Sequence, residues 1–279
     1  MTDERTRSKL HSDDLDLTGE EKKMMEENQL YWGAHAKEFK ESNEVSWGDL
    51  NMMHLEIENI VSYLQDGQNV LDAGCSNGFS TFRISAKKDI RTEAFDYEPL
   101  SIAIAKEELE NNKNSNVTFQ EGNILSIPFE DGVFDAAYTI RVVINQANWK
   151  RQQQAIKEIH RVLKPNGLYL MSEAFAGGLN NLNQLRALAS LKPLIMPEFN
   201  LYLNENELEE FLGDYFEIDE IRKFSSIYYV ASRFLRYLTK EPGEEDAYDN
   251  EINNFFAKYK QTGNSGDFGI QKLYVLRKK

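Results

Sequence analysis

The 279-residue chain is poor in the residues that staple or break folds, with one cysteine, four histidines and six prolines. Cys75 alone cannot close an internal disulfide, and one thiol among four scattered histidines offers no zinc-like ligand spacing, so no metal site is expected. No apolar run approaches the roughly 18 residues of a membrane-spanning helix. The opening MTDERTRSKL is too polar for a targeting segment. The expectation is a cytoplasmic protein with no membrane insertion. Positive charge is also in deficit: 32 Lys and Arg against 46 Asp and Glu give a formal net charge of −14. A surface of that sign repels polyanions on average, so no nucleic acid is expected as a partner, and solubility accounts for most of the charge.

What is present is strongly patterned. Residues 1–28 are charged and almost free of aromatics, and EEKKMMEEN within them reads as a solvated helix or a frayed arm. Residues 29–64 place Trp32, Phe39, Trp47, Leu50, Leu55, Ile57, Ile60 and Val61 at helical intervals, which predicts an N-terminal helical cap. From 65 onward, apolar runs alternate with helical patterns. NVLDAG, IRTEAFD, NVTFQEG, FDAAYTI and GLYLMSEAF read as strands. GFSTFRISAKK, EPLSIAIAKEELENN and NWKRQQQAIKEIHRVLK read as helices. FEIDEIRKF and IQKLYVLRK add two more strands. Such alternation predicts an α/β fold with a mostly parallel sheet covered on both faces, binding ligands at the carboxyl ends of its strands. The domain spans 65–279, with inserts at about 175–213 and 224–268 that shape the acceptor pocket.

The stretch NVLDAGCSNGFST ends a buried strand in an acid and a tight loop of small residues. Small residues let a ligand approach the backbone, and free amides at a helix start favour polar or anionic groups. A phosphate-cradling NTP loop needs Lys then Ser or Thr after its last glycine, but Phe79 and Ser80 follow Gly78. A dinucleotide fingerprint counted from Gly74 meets Ser76 and Phe79 where glycines belong.

VLDAGCSNG instead resembles the acid-x-Gly-x-Gly-x-Gly loop of class I S-adenosylmethionine-dependent methyltransferases, with Ser76 at the middle glycine. EAFDYEP, EGNILSIPFEDGVFDAAYTI and EIHRVLKPNGLYLMSE resemble that family's following motifs in order. The resemblance implies a Rossmann-like, doubly wound sheet of seven strands, the last antiparallel. It implies S-adenosyl-L-methionine as cofactor and S-adenosyl-L-homocysteine as product. Asp72, Ala73, Gly74, Cys75, Asn77 and Gly78 then form the cofactor loop. Asp96 accepts from the ribose hydroxyls, Tyr97 packs on the adenine, and Asn123 with Ile124 contacts its edge. Tyr31 and Trp32 cap the pocket, or else pack in the core. Cys75 reads as a packing residue rather than a nucleophile.

In-line attack on a sulfonium methyl needs alignment and exclusion of water, and a hydroxyl acceptor also needs a base. The candidates are Glu173, His35, His54 and Arg141. Arg141 also borders the cofactor and suits a carboxylate or phosphate, with a structural bond to Glu173 or a loop carbonyl as its alternative. Asn145, Asn183 and Arg186 are candidates on the acceptor side. The segments GLNNLNQLR, SSIYYVASR and GDFGIQKLYVL are similar to methyltransferases found with polysaccharide and glycolipid biosynthesis genes. On that resemblance Tyr228, Tyr229 and Arg233 border the acceptor, against the alternative that they form a buried helix face. The expected function is O-methylation of a small-molecule acceptor, a sugar or glycan precursor. The alternatives are N- or carboxyl-methylation of another metabolite, or a non-catalytic module that holds the cofactor or its product.

Overall fold

The computed structural model describes residues 17–40, 42–112, 116–240, 247–258 and 266–279. Its centre is β1 (Asn69–Ala73), whose Val70, Leu71 and Ala73 are fully buried. A strand so apolar on both faces must pair on both edges and be covered on both sides. It lies parallel to β2 (Arg91–Asp96) on one edge and β4 (Phe134–Ile140) on the other. With β3 (Val117–Glu121), β5 (Leu163–Ala174), β6 (Phe216–Arg222) and β7 (Gln271–Lys278), the described residues form one seven-stranded sheet in the order β3-β2-β1-β4-β5-β7-β6. β7 runs antiparallel between β5 and β6. This is the doubly wound, Rossmann-like architecture expected from the sequence. Strand order reverses between β1 and β4, so the loops leaving these two strands part and open a crevice.

Helices α1 (Gly19–Phe39), α2 (Leu50–Val61), α3 (Phe79–Ser85), α4 (Pro99–Asn112) and α5 (Trp149–Val162) precede β5. Helix α5 buries Ala155, Ile156, Ile159 and Val162 on one face, and the Asn148 side chain caps it by accepting from the Arg151 amide at 3.0 Å. It ends at Val162 rather than Lys164, because Leu163 already pairs with Phe134 to start β5, and Asn166 turns the chain at φ 63°. Beyond β5 follow α6 (Ala176–Leu188), α7 (Glu205–Leu212), α8 (Ser226–Val230), a π-helical turn at Ala231–Leu235, α9 (Arg236–Thr239) and α10 (Glu251–Lys258).

The expected boundary at 28/29 falls inside α1. Thr18 starts that helix with a capping box: its hydroxyl accepts from the Glu21 amide at 3.2 Å, and the Glu21 carboxylate accepts from the Thr18 amide at 2.7 Å. Helix α1 lies on the surface and spans the carboxyl edge of the sheet. The Asn148 amide donates to Glu21 at 2.8 Å, Asn28 donates to the Phe199 carbonyl at 3.3 Å, and Gly33 lies against Glu98 beyond β2. Helix α2 belongs to the core itself, with Met52, Met53, Ile57 and Ile60 in the same apolar cluster as the sheet. Residues 1–16 of the expected arm, and 241–246 and 259–265 of the second insert, lie outside the described residues. No described helix is long and apolar enough to cross a membrane.

Candidate active site

After Ala73 the chain takes left-handed turns at Gly74 (φ 89°), Ser76 (φ 50°) and Gly78 (φ 78°). Space adds to the demand for glycine: a Cβ would stand 2.5 Å from Val142 at Gly74 and 2.8 Å from Phe119 at Gly78. Ser76 tolerates its turn at a strain of order 1 kcal/mol. The loop is laced to the end of β2. The Gly74 and Cys75 amides donate to the Phe95 carbonyl at 2.8 and 2.9 Å, and the Ser76 amide donates to the Asp96 carboxylate at 2.8 Å. The other Asp96 oxygen accepts from the Glu98 amide at 3.0 Å. Burial raises the Asp96 pKa. Each oxygen still has a further lone pair. Tyr97 beside it is 43% exposed.

Asp72 lies beneath the loop, where one of its oxygens accepts from Thr81 at 2.6 Å and Tyr138 at 2.7 Å. Burial pushes its carboxyl up to about 7. Asp72 also borders a cavity with Ser46, Gly74, Cys75, Ser76, Phe79, Ser80, Ile140 and Arg141. This cavity holds about 30 Å³, room for a water or two. A nucleoside-sized ligand needs roughly 300 Å³ or more. Ser46, in the segment that precedes α2, lines this space, and its carbonyl accepts from the Arg141 guanidinium at 3.5 Å. Asn77 ties down the stretch between α1 and Ser46, donating to the Lys40 carbonyl at 2.7 Å and the Ser42 carbonyl at 3.0 Å. Its amide is spent on the chain and not on the cavity, which corrects the expected cofactor contact. Cys75 is buried at the wall of the same cavity, and burial pushes its thiol pKa up. Beside Asp96, Asn123 accepts from the Leu125 amide at 2.9 Å to form a tight turn, and Ile124 is buried there.

The loop after β4 is the second wall. Arg141 sits at φ 58°, held by its amide on the Ser172 carbonyl at 2.8 Å and by Asn145, which donates to its carbonyl at 2.9 Å. Glu173 then caps the short turn Val143–Asn145, accepting from the Val142 and Val143 amides at 3.1 Å and the Ile144 amide at 3.3 Å. It is fully buried, and burial pushes its carboxyl up to about 7. With both oxygens on backbone amides, Glu173 anchors the loop; the expected base is a structural cap. Arg141 pairs with Glu56 of α2 rather than with Glu173, Nε to carboxylate 3.2 Å, donates to the Ser46 carbonyl of a loop at 3.5 Å, and stacks its guanidinium over Trp47 at 4.6 Å. Glu56 is fully buried, and burial pushes it up to about 7 against the pull of Arg141.

Neither candidate histidine borders the cavity. His54 is exposed on α2, where partial burial and then Arg83 lower its pKa. The His35 ring packs 4.1 Å from Tyr31 and 5.2 Å from Phe39, with Nδ1 3.3 Å from the Glu44 carbonyl. Tyr31 stacks on Phe199 at 4.7 Å and Trp32 meets Phe199 edge-on at 5.8 Å, along a separate surface hollow. Both rings pack on Phe199 of the first insert, and neither lines the loop cavity.

Of the residues expected to border the acceptor, Tyr228 and Arg233 converge on Asp49, the N-cap of α2, each at 2.7 Å. Tyr229 is buried and donates to the Gln271 side chain. Asn183 is spent on the Leu194 backbone, donating to its carbonyl at 2.9 Å and accepting from its amide at 2.8 Å. Arg186 is buried on the Lys192 and Arg233 carbonyls. Asn183 and Arg186 therefore brace the first insert rather than face an acceptor. Asp49, Glu56, Tyr138 and Thr81 were missed. The available signal for Glu56 was an acid on the same helical face as Met52, Met53 and Ile60.

A family model described as a methyltransferase domain matches residues 64–218, more than half of the chain. The chain belongs to that family. It is similar to the O-methyltransferase rstn1 of Aspergillus nomiae, 30% identical over 110 residues, covering 39% of this chain and 48% of that one. It is likewise similar to the ubiquinone/menaquinone biosynthesis C-methyltransferase UbiE of Bartonella quintana, 31% over 160 residues, covering 56% and 57%. The methyltransferase domain therefore aligns over about half the length of these curated relatives. Among solved structures, a methyltransferase in complex with the Haloferax volcanii Trm112 activator superposes with TM-score 0.58 at 15% identity, covering 88% of this chain and 96% of that one. The [4+2]-cyclase SpnF superposes at 0.54 with 23% identity, covering 81% and 80%. Both likenesses show the fold.

Three of the buried carboxyls, those pushed up to about 7, give the methyltransferase domain an expected pH response, and Asp96, also raised by burial, acts in the same sense. Asp72, Glu56 and Glu173 have folded pKa values above their unfolded ones, so the folded state holds more protons between about pH 4 and 7. Their contribution is fully present below the unfolded pKa and is lost as pH rises through about 7. His54 and His160, depressed by partial burial, act in the opposite sense. Comparison with Glu56→Gln isolates the acid: the urea midpoint of the variant, relative to wild type, should rise between pH 5.5 and 7.5. An unchanged difference across that range would contradict the assignment.

Proposed function

We propose that the chain is an S-adenosylmethionine-dependent methyltransferase acting on a small-molecule acceptor. The observation that carries this is the pairing of the left-handed Gly74–Gly78 loop with Asp96, through the Ser76 amide, at the switch point of the sheet. The donor set fits the cofactor: a strand-end carboxylate with spare lone pairs for ribose hydroxyls, an exposed tyrosine ring beside it for a purine face, and a backbone loop free of bulky side chains. When bound, the cofactor supplies a labile sulfonium methyl. The chain's own residues would hold and orient it, and the segment that carries Ser46, at the cavity wall, would help exclude water.

The finer reading is O-methylation of a sugar or glycan precursor. It requires a base, and Glu173, His35 and His54 occupy other roles. Acceptors that arrive already anionic need none, which favours carboxyl methylation among the alternatives. A non-catalytic module that holds the cofactor or its product is the remaining reading.

Isothermal titration with S-adenosylmethionine, S-adenosylhomocysteine and NAD tests the proposal. Micromolar binding of both adenosyl ligands with NAD silent is expected. Silence of both would overturn it.

A further inference from the structure

Arg141 follows β4 and lines the loop cavity together with Ser46, Asp72, Gly74 and Ser76. Among the described residues on that wall it is the one cation, and the one acid there, Asp72, already accepts from Thr81 and Tyr138. The Arg141 backbone is caught in its left-handed turn, tied by the amide to Ser172 and by the carbonyl to Asn145. Along the side chain, Nε faces the Glu56 carboxylate at 3.2 Å, Nη1 donates to the Ser46 carbonyl, and the guanidinium plane lies over Trp47. Nη2 has no partner among the described residues. The free side of such a planar fork matches the edge of a carboxylate.

Glu56 sets the direction of that fork. It is fully buried in α2 and does not line the cavity, and its other oxygen accepts from the Ser172 hydroxyl at 3.2 Å. Ser172 thus braces both partners, with its hydroxyl on Glu56 and its carbonyl on the Arg141 amide. Two charges withdrawn from water offset the cost of burial only in a fixed geometry, so the pair holds the arginine to one pose. Glu56 reaches the cavity through Arg141 alone.

The sheet order shows which end of a ligand meets this arginine. In the order β2-β1-β4, Asp96 ends the strand on one side of the Gly74–Gly78 loop and Arg141 follows the strand on the other, two strand spacings or about 10 Å away. A donor whose ribose rests on Asp96 crosses the loop with its sulfur and brings its amino-acid end to Arg141. On the basis of the methyltransferase reading, we propose that Glu56 is a positioning residue for the methyl donor: it aims Arg141, and Arg141 takes the donor's carboxylate.

The test is calorimetric titration of the full chain with S-adenosylhomocysteine and with methylthioadenosine, at pH 8, above the value of about 7 to which burial pushes Glu56. Methylthioadenosine keeps the adenosine and the sulfur but lacks the amino acid. Wild type should bind S-adenosylhomocysteine well over tenfold more tightly, because only that ligand gives the guanidinium charge-assisted hydrogen bonds. Glu56→Gln, close to the same shape without the charge, should cut this preference to a few-fold. Its affinity for methylthioadenosine should match wild type, which also shows that the variant is folded. Arg141→Lys should cut the preference in the same way, since an ammonium has no fork. Glu56→Asp keeps the charge and should retain more of the preference than Glu56→Gln does, an order that a packing role for Glu56 would reverse. An unchanged preference in Glu56→Gln, or an equal loss for both ligands, would overturn the proposal. Silence of both ligands on wild type would instead strike the methyltransferase reading.

Discussion

Asp96→Ala should bind S-adenosylhomocysteine well over tenfold more weakly than wild type. A ribose diol on this carboxylate makes two charge-assisted hydrogen bonds, each typically about 1.5–3 kcal/mol, and alanine removes both. The same substitution frees the Ser76 and Glu98 amides, which Asp96 holds at 2.8 and 3.0 Å, so the loop also loses its tether to β2. Asp96→Asn separates the two effects, because it keeps an oxygen for an amide but lacks the charge. Calorimetry should order the affinities wild type, Asn, Ala. An alanine variant that binds as tightly as wild type would mean that the cofactor lies elsewhere.

Asp49→Ala should cost the fold about 3–5 kcal/mol, because it leaves the nearly buried Arg233 without its partner. The hydroxyl of Tyr228 and the amide of Met52 also lose their acceptor. At roughly 2–4 °C per kcal/mol for a chain somewhat smaller than this one, the thermal midpoint should drop by about 10 °C. Replacing both charges, Asp49→Leu with Arg233→Met, should recover a large part, since two apolar groups leave no uncompensated charge. A loss below about 1 kcal/mol in the single variant would mean that the pair does not form in solution.

The central sheet was legible because parallel strands buried on both faces must be continuously apolar, as Val70 and Leu71 are. The glycine turn after β1 was legible because the close approach of Val142 to Gly74 and of Phe119 to Gly78 leaves no room for side chains. The start of α1 was equally available, since Thr18 and Glu21 have capping-box spacing, yet the charge of the segment outweighed it. Other roles depend on contacts between distant parts of the chain. That Glu173 caps a turn thirty residues earlier follows from the register of β5 beside β4. The packing of Tyr31 and Trp32 depends on where Phe199 lands, in a loop without periodicity. The acid at Glu56 broke an apolar face and so was visible; its arginine partner was not.

The placement of β7 has a consequence for how the chain reaches its fold. Leu168 pairs with Arg277 and Phe216 with Lys278, so both neighbours of β7 precede it by long stretches of sequence. Closing such loops comes late, because the entropy of closure precedes any gain from pairing. Until then β5 lacks a partner on its outer edge, and β6 lacks its one neighbour in the sheet. The newly made chain thus passes through a stage with two open strand edges, the form most prone to pair with another copy. Growth temperature and expression rate should govern the soluble yield of this protein more than the final stability of its core does.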